Sequence, residues 1–238
     1  MCTVSWITEG DGYRLWFNRD EQFSRARAEA PFVWNGTSEG GSFLAPRDPE
    51  GGGTWIAVNR EGVLVALLNY YERAGALPMG VKSRGGLVIQ LVQKDRFEAV
   101  AQALKNMDLE AYAAFHLLII GGGKESLSTW NGKTLSDESL VRRFWTTSSM
   151  ETARVKAARL KCYFEMIKEA DVTESHRALH RVYQPDDGAG SVCMRREDAQ
   201  SVSHVEVVVD SNKVEMHYGE RLGGHGFESL VKAHLDRR

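Results

Sequence analysis

A cysteine stands directly behind the first methionine, in Met1-Cys2-Thr3-Val4-Ser5-Trp6, at the head of a run of alternating apolar residues. If the methionine is removed, Cys2 carries a free α-amine and a thiol on adjacent carbons. The thiolate is the nucleophilic form of sulfur, so attack on a carbonyl needs a base that titrates near neutrality and reaches the thiol. A free α-amine has a pKa of about 7.7–8.0 against about 8.5 for a thiol, so proton exchange between them is nearly balanced. One residue then supplies both nucleophile and base. If the methionine stays, Cys2 is an incidental terminal thiol.

Other chemistry-bearing residues point to bland roles. His176 and His180 are four apart on a predicted helix, a spacing that suits a metal, but no third ligand accompanies them and a solvated face is expected. His116 lies in an apolar run and is expected to be a hydrogen-bonded core residue, and Cys193 a buried strand cysteine. The stretch "GGGKES" lacks the phosphate-loop pattern, because Leu118 and Glu125 stand where Gly and Ser or Thr are required. None of the three cysteines has C-x-x-C spacing, and no metal or cofactor is called for.

The elements that must position Cys2 are strands. Residues 2–8 and 13–19 read as a hairpin around "EGDG", which fixes the start of the chain in a sheet. A Gly-rich loop from Ser38 to Gly53 follows, and then "TWIAVN-REG-VLVALLNYY", a hairpin whose second strand is nearly continuously apolar, as in a strand buried on both faces. Apolar residues at helical spacing predict two short helices broken near Lys94. "FHLLIIGGG" and "STWNGK" predict further strands, with Asn131-Gly132 as a turn. A helix is expected over 150–170, a second capped by Thr173 and running to Tyr183, and strands in "SVCMRRED", "QSVSHVEVVVDSN" and "KVEMHYGE". Strands, then helices, then strands argue for an α+β fold with antiparallel sheets in one domain over 1–238.

The 238 residues are 42% hydrophobic and 26% charged with a net charge of −2, which suits a single sizeable core and disfavours nucleic acid or anionic membrane surfaces as partners. The longest apolar runs reach roughly half the ~20 residues of a membrane-crossing helix. No secretory signal is visible, so a cytoplasmic protein is expected. The Asn35-Gly36-Thr37 sequon carries little weight without such a signal.

The string Asn18-Arg19-Asp20-Glu21, followed by "FSR", ends the second strand of the hairpin that Cys2 begins. With "EGGGTWIAVNREGVLVALLNYY", "SRG" and "TTSS" in the same order, the chain resembles the NRDE family, also called the transport and Golgi organisation family. The resemblance is continuous to about Lys156 and weaker beyond. That family is similar in turn to the cysteine N-terminal nucleophile hydrolases, such as penicillin V acylase and bile salt hydrolase. The resemblance implies a four-layer αββα sandwich that cleaves non-peptide amide bonds. It makes Cys2 the nucleophile, Asp20 the acceptor that steadies the α-ammonium, and Asn69 the amide facing the oxyanion. Arg19 would stand beside the thiol, although the acylases place their arginine where this chain has Phe17, and an ideal strand turns Arg19 and Asp20 to opposite faces. Where the acylases carry a second asparagine and a further arginine, this chain offers Ser148 or Ser149 and then Arg154. The implied activity is amidohydrolysis or acyl transfer on a small amide or thioester, and the relatives' habit implies a homo-oligomer. The rival is a non-catalytic carrier of haem or lipid, a role the resemblance also suggests.

Overall fold

The structure is a computed structural model that describes residues 1–36, 41–71, 82–221 and 226–237. Ser38–Gly40 of the Gly-rich loop and Thr37 of the sequon lie outside the described residues. In chain order the strands and helices are β1 Cys2–Glu9, β2 Gly12–Gln22, β3 Glu29–Trp34, β4 Phe43–Arg47, β5 Ile56–Asn59, β6 Leu64–Asn69, α1 Gly85–Val92 and α2 Phe97–Lys105. There follow β7 Phe115–Gly121, β8 Lys124–Trp130, β9 Leu135–Asp137, β10 Phe144–Thr147, α3 Thr152–Met166, α4 Val172–Leu179, β11 Ala199–Val209, β12 Lys213–Glu220 and β13 Glu228–Asp236.

Two antiparallel sheets face each other. One runs β10-β1-β2-β11-β12-β13 and the other β3-β4-β5-β6-β7-β8-β9. Alternation along each strand supplies the layers. Val4, Trp6, Leu15 and Phe17 of the first sheet meet Ile56, Leu64, Ala66, Leu68 and Leu118 of the second in the central core. The odd-numbered neighbours Val65, Leu67, Leu117 and Ile119 turn outward and pack under Leu87, Leu91, Val100 and Leu104 of α1 and α2. Strand β6 is therefore apolar from Leu64 to Leu68 because it is covered on both faces. On the outside of the first sheet, α3 and α4 bury Cys162 and Leu179 with Phe144 and Val192. The result is the expected αββα sandwich.

The two hairpins, the break between α1 and α2 and the β7–β8 pair fall where the sequence places them. Three expectations are corrected. The cap of α4 is Asp171, whose side chain accepts from the Glu174 N–H, two residues before Thr173. After NRDE, β2 continues to Gln22 and β3 begins at Glu29. "SVCMRRED" is irregular, because its backbone bonds outward, Cys193 N–H to the Val182 carbonyl at 2.8 Å and Arg195 N–H to the Gly188 carbonyl at 3.1 Å. Cys193 is buried but stands in no strand. His176 and His180 do not face solvent. Both are buried at the seam between α4 and β1, where His176 Nδ1 and His180 Nε2 lie 2.7 and 2.9 Å from Ser5 Oγ.

Their protons follow from Asn18. Its Nδ2 donates to the His180 and Val192 carbonyls, so its Oδ1 is the acceptor for Nδ1–H of both His180 and His204, at 3.0 and 2.8 Å. His180 Nε2 then accepts from the Ser5 hydroxyl, whose oxygen accepts from His176 Nδ1–H. His116 is the buried, hydrogen-bonded residue expected, with Nδ1 2.7 Å from Thr129 Oγ1.

Candidate active site

The end of the β1–β2 hairpin forms one wall of a cavity of about 510 Å³. Cys2 pairs with Arg19 across the hairpin and with Thr147 of β10 on its other side. Alternation turns Cys2 and Arg19 toward the facing sheet, and both line the cavity. The opposite wall carries Trp55, Leu67 and Asn69 from β5 and β6, and Ser83, Arg84 and Gly85 from the start of α1. That wall depends on glycine: a Cβ on Gly53 would lie 2.5 Å from the Gly85 carbonyl carbon, so only two bare backbones fit there.

Met1 extends β1 by one residue. Its carbonyl accepts from the Asp20 N–H at 2.9 Å, and its amine donates to the Asp20 carbonyl at 3.1 Å and to Tyr71 Oη at 3.4 Å. The Cys2 N–H donates to Thr147 Oγ1 at 3.2 Å. Burial pushes the Cys2 thiol up to about 11, helped by the Asp20 charge, while the N-terminal ammonium, the Asp20 N–H and Arg19 pull less strongly downward. Burial alone would lower the Met1 amine, but the nearby Tyr71, Cys2, Asp20 and Glu21 raise it.

Asp20 differs from its expected role. Its carboxylate is on the helix side of the sheet, where Oδ1 accepts from Ser201 Oγ at 2.5 Å and Oδ2 from Arg159 Nη1 at 3.3 Å. Its backbone carbonyl accepts from the Met1 amine. The reason is the strand alternation: β2 keeps it without a bulge, so Arg19 shares the face of Cys2 and Asp20 takes the other. Arg19 thus stands at the thiol's side of the sheet, stacked 4.6 Å above Trp55 and held by Asp48 and Glu21 at 3.2 and 3.3 Å.

Asn69 lines the cavity and donates through Nδ2 to Tyr71 Oη at 2.8 Å. Ser148 is buried against Met1, its hydroxyl 3.5 Å from Sδ and donating to the Met150 carbonyl at 2.6 Å. Ser149 is exposed. Arg154 is not part of this assembly. It is exposed on α3 and pairs with Asp187 and Glu151 at 2.7 and 2.8 Å.

Four further residues had no signal in the sequence pattern. Arg159, fully buried, joins Asp20 to Thr3 and Thr146. Tyr71 receives hydrogen bonds from both the Met1 amine and Asn69. Arg25 donates to Asp48 at 2.6 Å; burial would raise the Asp48 carboxyl, but the Arg25 hydrogen bond, the Gly51 N–H and both guanidinium charges hold it below its usual range. Arg84 donates to the Ala114 carbonyl at 2.8 Å and lines the cavity. Among the described residues there is no group of side chains arranged to hold a metal ion.

The sandwich with a cysteine heading a central strand of one sheet, beside a cavity between the sheets, is the fold of the N-terminal nucleophile hydrolases. Two solved structures share it: a Caenorhabditis elegans N-acylethanolamine-hydrolyzing acid amidase ortholog, at a TM-score of 0.58 and 10% identity over 87% of this chain and 92% of that one; and a variant of the conjugated bile acid hydrolase from Clostridium perfringens, at 0.54 and 13% over 97% and 92%. The chain itself belongs to the Transport and Golgi organisation 2 family, whose model matches residues 1–221. Its relatives include the Transport and Golgi organization protein 2 homologs of Bos taurus, 36% identical over 36% of this chain and 30% of that protein, and of Homo sapiens, 32% identical over 45% and 39%. The matched stretches span less than half the length of these curated relatives.

Proposed function

We propose that the chain, in the form whose first residue is Cys2, is a cysteine amidohydrolase or acyltransferase acting on a small non-peptide amide or thioester. The observation that carries this reading is the placing of Cys2: it heads β1, lines the cavity, and shares that cavity with Arg19 and Asn69. Once the Met1 acyl group is gone, the nitrogen of Cys2 is an amine, and Thr147 Oγ1 is the acceptor that orients it. The amine takes the thiol proton as Sγ bonds to the substrate carbonyl carbon. The proton passes to the leaving amine as the C–N bond breaks, and water then cleaves the thioester, restoring the thiol and releasing the acid. Asn69 supplies an amide donor for the oxyanion. Asp20 acts through its backbone, while its carboxylate and Arg159 anchor the strand that presents that backbone. With Met1 in place the nitrogen is a peptide nitrogen and the thiol is pushed up to about 11, so this form is inert at neutral pH.

The cavity wall is charged, with Arg19, Arg25, Lys82 and Arg84 against Glu21 and Asp48. That lining favours a polar substrate over the apolar cargo of a haem or lipid carrier. Among the described residues no helix is long and apolar enough to cross a membrane.

The test is hydrolysis of a panel of acyl amides and thioesters by the chain released so that it begins at Cys2. Cys2→Ser should abolish turnover and Asn69→Ala should lower kcat by about 10²–10³. A thiol probe should label Cys2 ahead of Cys162 and Cys193 in this form. Equal labelling of all three, with no turnover on the panel, would sink the enzyme reading.

A further inference from the structure

The first residue of the chain sits in a place built for it. Met1 and Asp20 exchange both backbone hydrogen bonds, as residues of a closely spaced antiparallel pair do. The Met1 side chain packs against Met194 and Ala199, each about 1% exposed, and against Tyr71. Its Sδ meets Ser148 Oγ and Arg196 Nη1, each at 3.5 Å. These walls are fixed. Met194 bonds to Ser201 through its N–H and its carbonyl, at 2.9 and 2.8 Å, and Arg196 is clamped by Asp198 at 2.6 and 2.9 Å.

We infer that the seat of Met1 is the acyl-chain subsite of the Cys2 centre, and that it takes an unbranched acyl group of methionine's length, hexanoyl in the hydrocarbon series. This rests on the reading of Cys2 as the nucleophile. In the form that begins at Cys2, the N–H and C=O of Asp20 lose the partners that Met1 gave them, at a residue only 1% exposed. Buried backbone groups without partners are costly, so a ligand that restores the pairing is favoured. An acyl group on Sγ is well placed to restore the first of these bonds, its carbonyl accepting from the Asp20 N–H as the Met1 carbonyl does. Met1 is itself an acyl group, attached to the nitrogen of Cys2, and the Asp20 N–H that its carbonyl accepts also faces the Cys2 sulfur. Moving the acyl group from nitrogen to the sulfur of the same residue keeps its carbonyl near that N–H, and its chain would pass through the gap that Met1 leaves between Asp20 and Ser148 into the groove, on the Asp20 face of the sheet, that the methionine side chain fills. Length is limited at the far end, where a longer apolar chain would run into the Arg196 guanidinium. Width is limited by Ala199, whose methyl group is part of the wall.

Binding of the free acids separates this subsite from catalysis. Thermal unfolding would be followed for the chain that begins at Cys2 and for the chain that begins at Met1, each with sodium hexanoate or acetate. Hexanoate at ten times its Kd should raise the Tm of the Cys2-first chain by about 3–6 °C, acetate at the same concentration should not, and the Met1-first chain should respond to neither. Ala199→Leu should remove the hexanoate response. Arg196→Ala, which removes the guanidinium at the far end of the groove, should move the preference from hexanoate to octanoate, and it keeps the question open to refutation if Ala199→Leu fails to fold. Equal shifts in the two chain forms, equal shifts with acetate and hexanoate, or an unmoved preference in Arg196→Ala would each overturn the subsite. Hexanoate binding without turnover of any acyl amide would leave the subsite standing and sink the enzyme. Turnover with equal kcat/KM for acetyl and hexanoyl amides would do the reverse.

Discussion

Arg159 and Asp20 carry opposite charges with no solvent on either side chain, and their closest approach is 3.3 Å. Desolvating two ions is expensive, and their attraction offsets it only while both are present; removing one partner of such a pair typically costs about 3–5 kcal/mol. Arg159→Met should therefore destabilise the protein by about that amount in urea unfolding. Adding Asp20→Asn should recover part of the loss, because the stranded anion is then gone. A loss under about 1 kcal/mol for Arg159→Met would show that the Ser201 hydroxyl suffices to hold the carboxylate and that the pair is not what anchors the strand. The resemblance to the NRDE family marked Asp20 as a candidate residue of the site; its place at the strand end alone did not. Its facing was not visible, because the role expected of it, as acceptor for the α-ammonium, needed the side chain, and one step along a strand separates the two faces. Arg159 had no local signal at all. It is five residues beyond Arg154 on α3, about 140° further around the helix, so one arginine reaches solvent and the other the sheet.

The cavity exists because a loop and a helix touch without side chains between them. Gly53 and Gly85 meet backbone to backbone, and Thr54 N–H reaches the Gly85 carbonyl at 3.4 Å. Gly53→Ala would place a methyl group 2.5 Å from a carbonyl carbon, a collision with main chain that a rotamer change cannot relieve. Overpacking of this kind costs about 1–3 kcal/mol. The start of α1 should also be displaced from the cavity, so that turnover by the Cys2-first chain falls along with its Tm. Gly86→Ala, where a Cβ meets nothing within 4 Å, is the control and should leave turnover unchanged. Normal activity in Gly53→Ala would mean that the wall moves freely. Elements with a strong period, such as β1, β2, β6 and α2, could be read directly from the order of apolar residues. The segment from Ser191 to Asp198 could not, because its apolar residues alternate like a strand while its hydrogen bonds go to the end of α4 and to β11. Nothing in a local pattern distinguishes those two fates.

The order of strands, helices and strands was enough to indicate two antiparallel sheets with outer helices, since every strand of β6 type must be covered on both sides. What joins the layers was hidden, because histidine at helical spacing looks the same whether it meets water or a sheet. Three histidines are buried and His204 is half-buried, all four as neutral rings. Burial lowers His176 to about 4 and His116 to about 3. His204 is likewise brought to about 4 by burial, and His180 is held well below its ordinary value by burial and by its histidine neighbours. In the unfolded chain each titrates near 6.5. Between about pH 6.5 and 4 the unfolded state therefore binds more protons than the folded one, so stability is complete above pH 6.5 and is lost as the pH falls. Going from pH 7 to pH 5 should remove roughly 2 kcal/mol for each such histidine, read as a falling urea midpoint. His180→Gln should flatten that dependence by about one histidine's share, even if it lowers stability at pH 7 by breaking the Ser5 and Asn18 bonds. A midpoint that does not change between pH 7 and 5 would mean that these rings are charged or exposed in the folded protein, and that α4 is fastened to the first sheet by something other than neutral imidazoles.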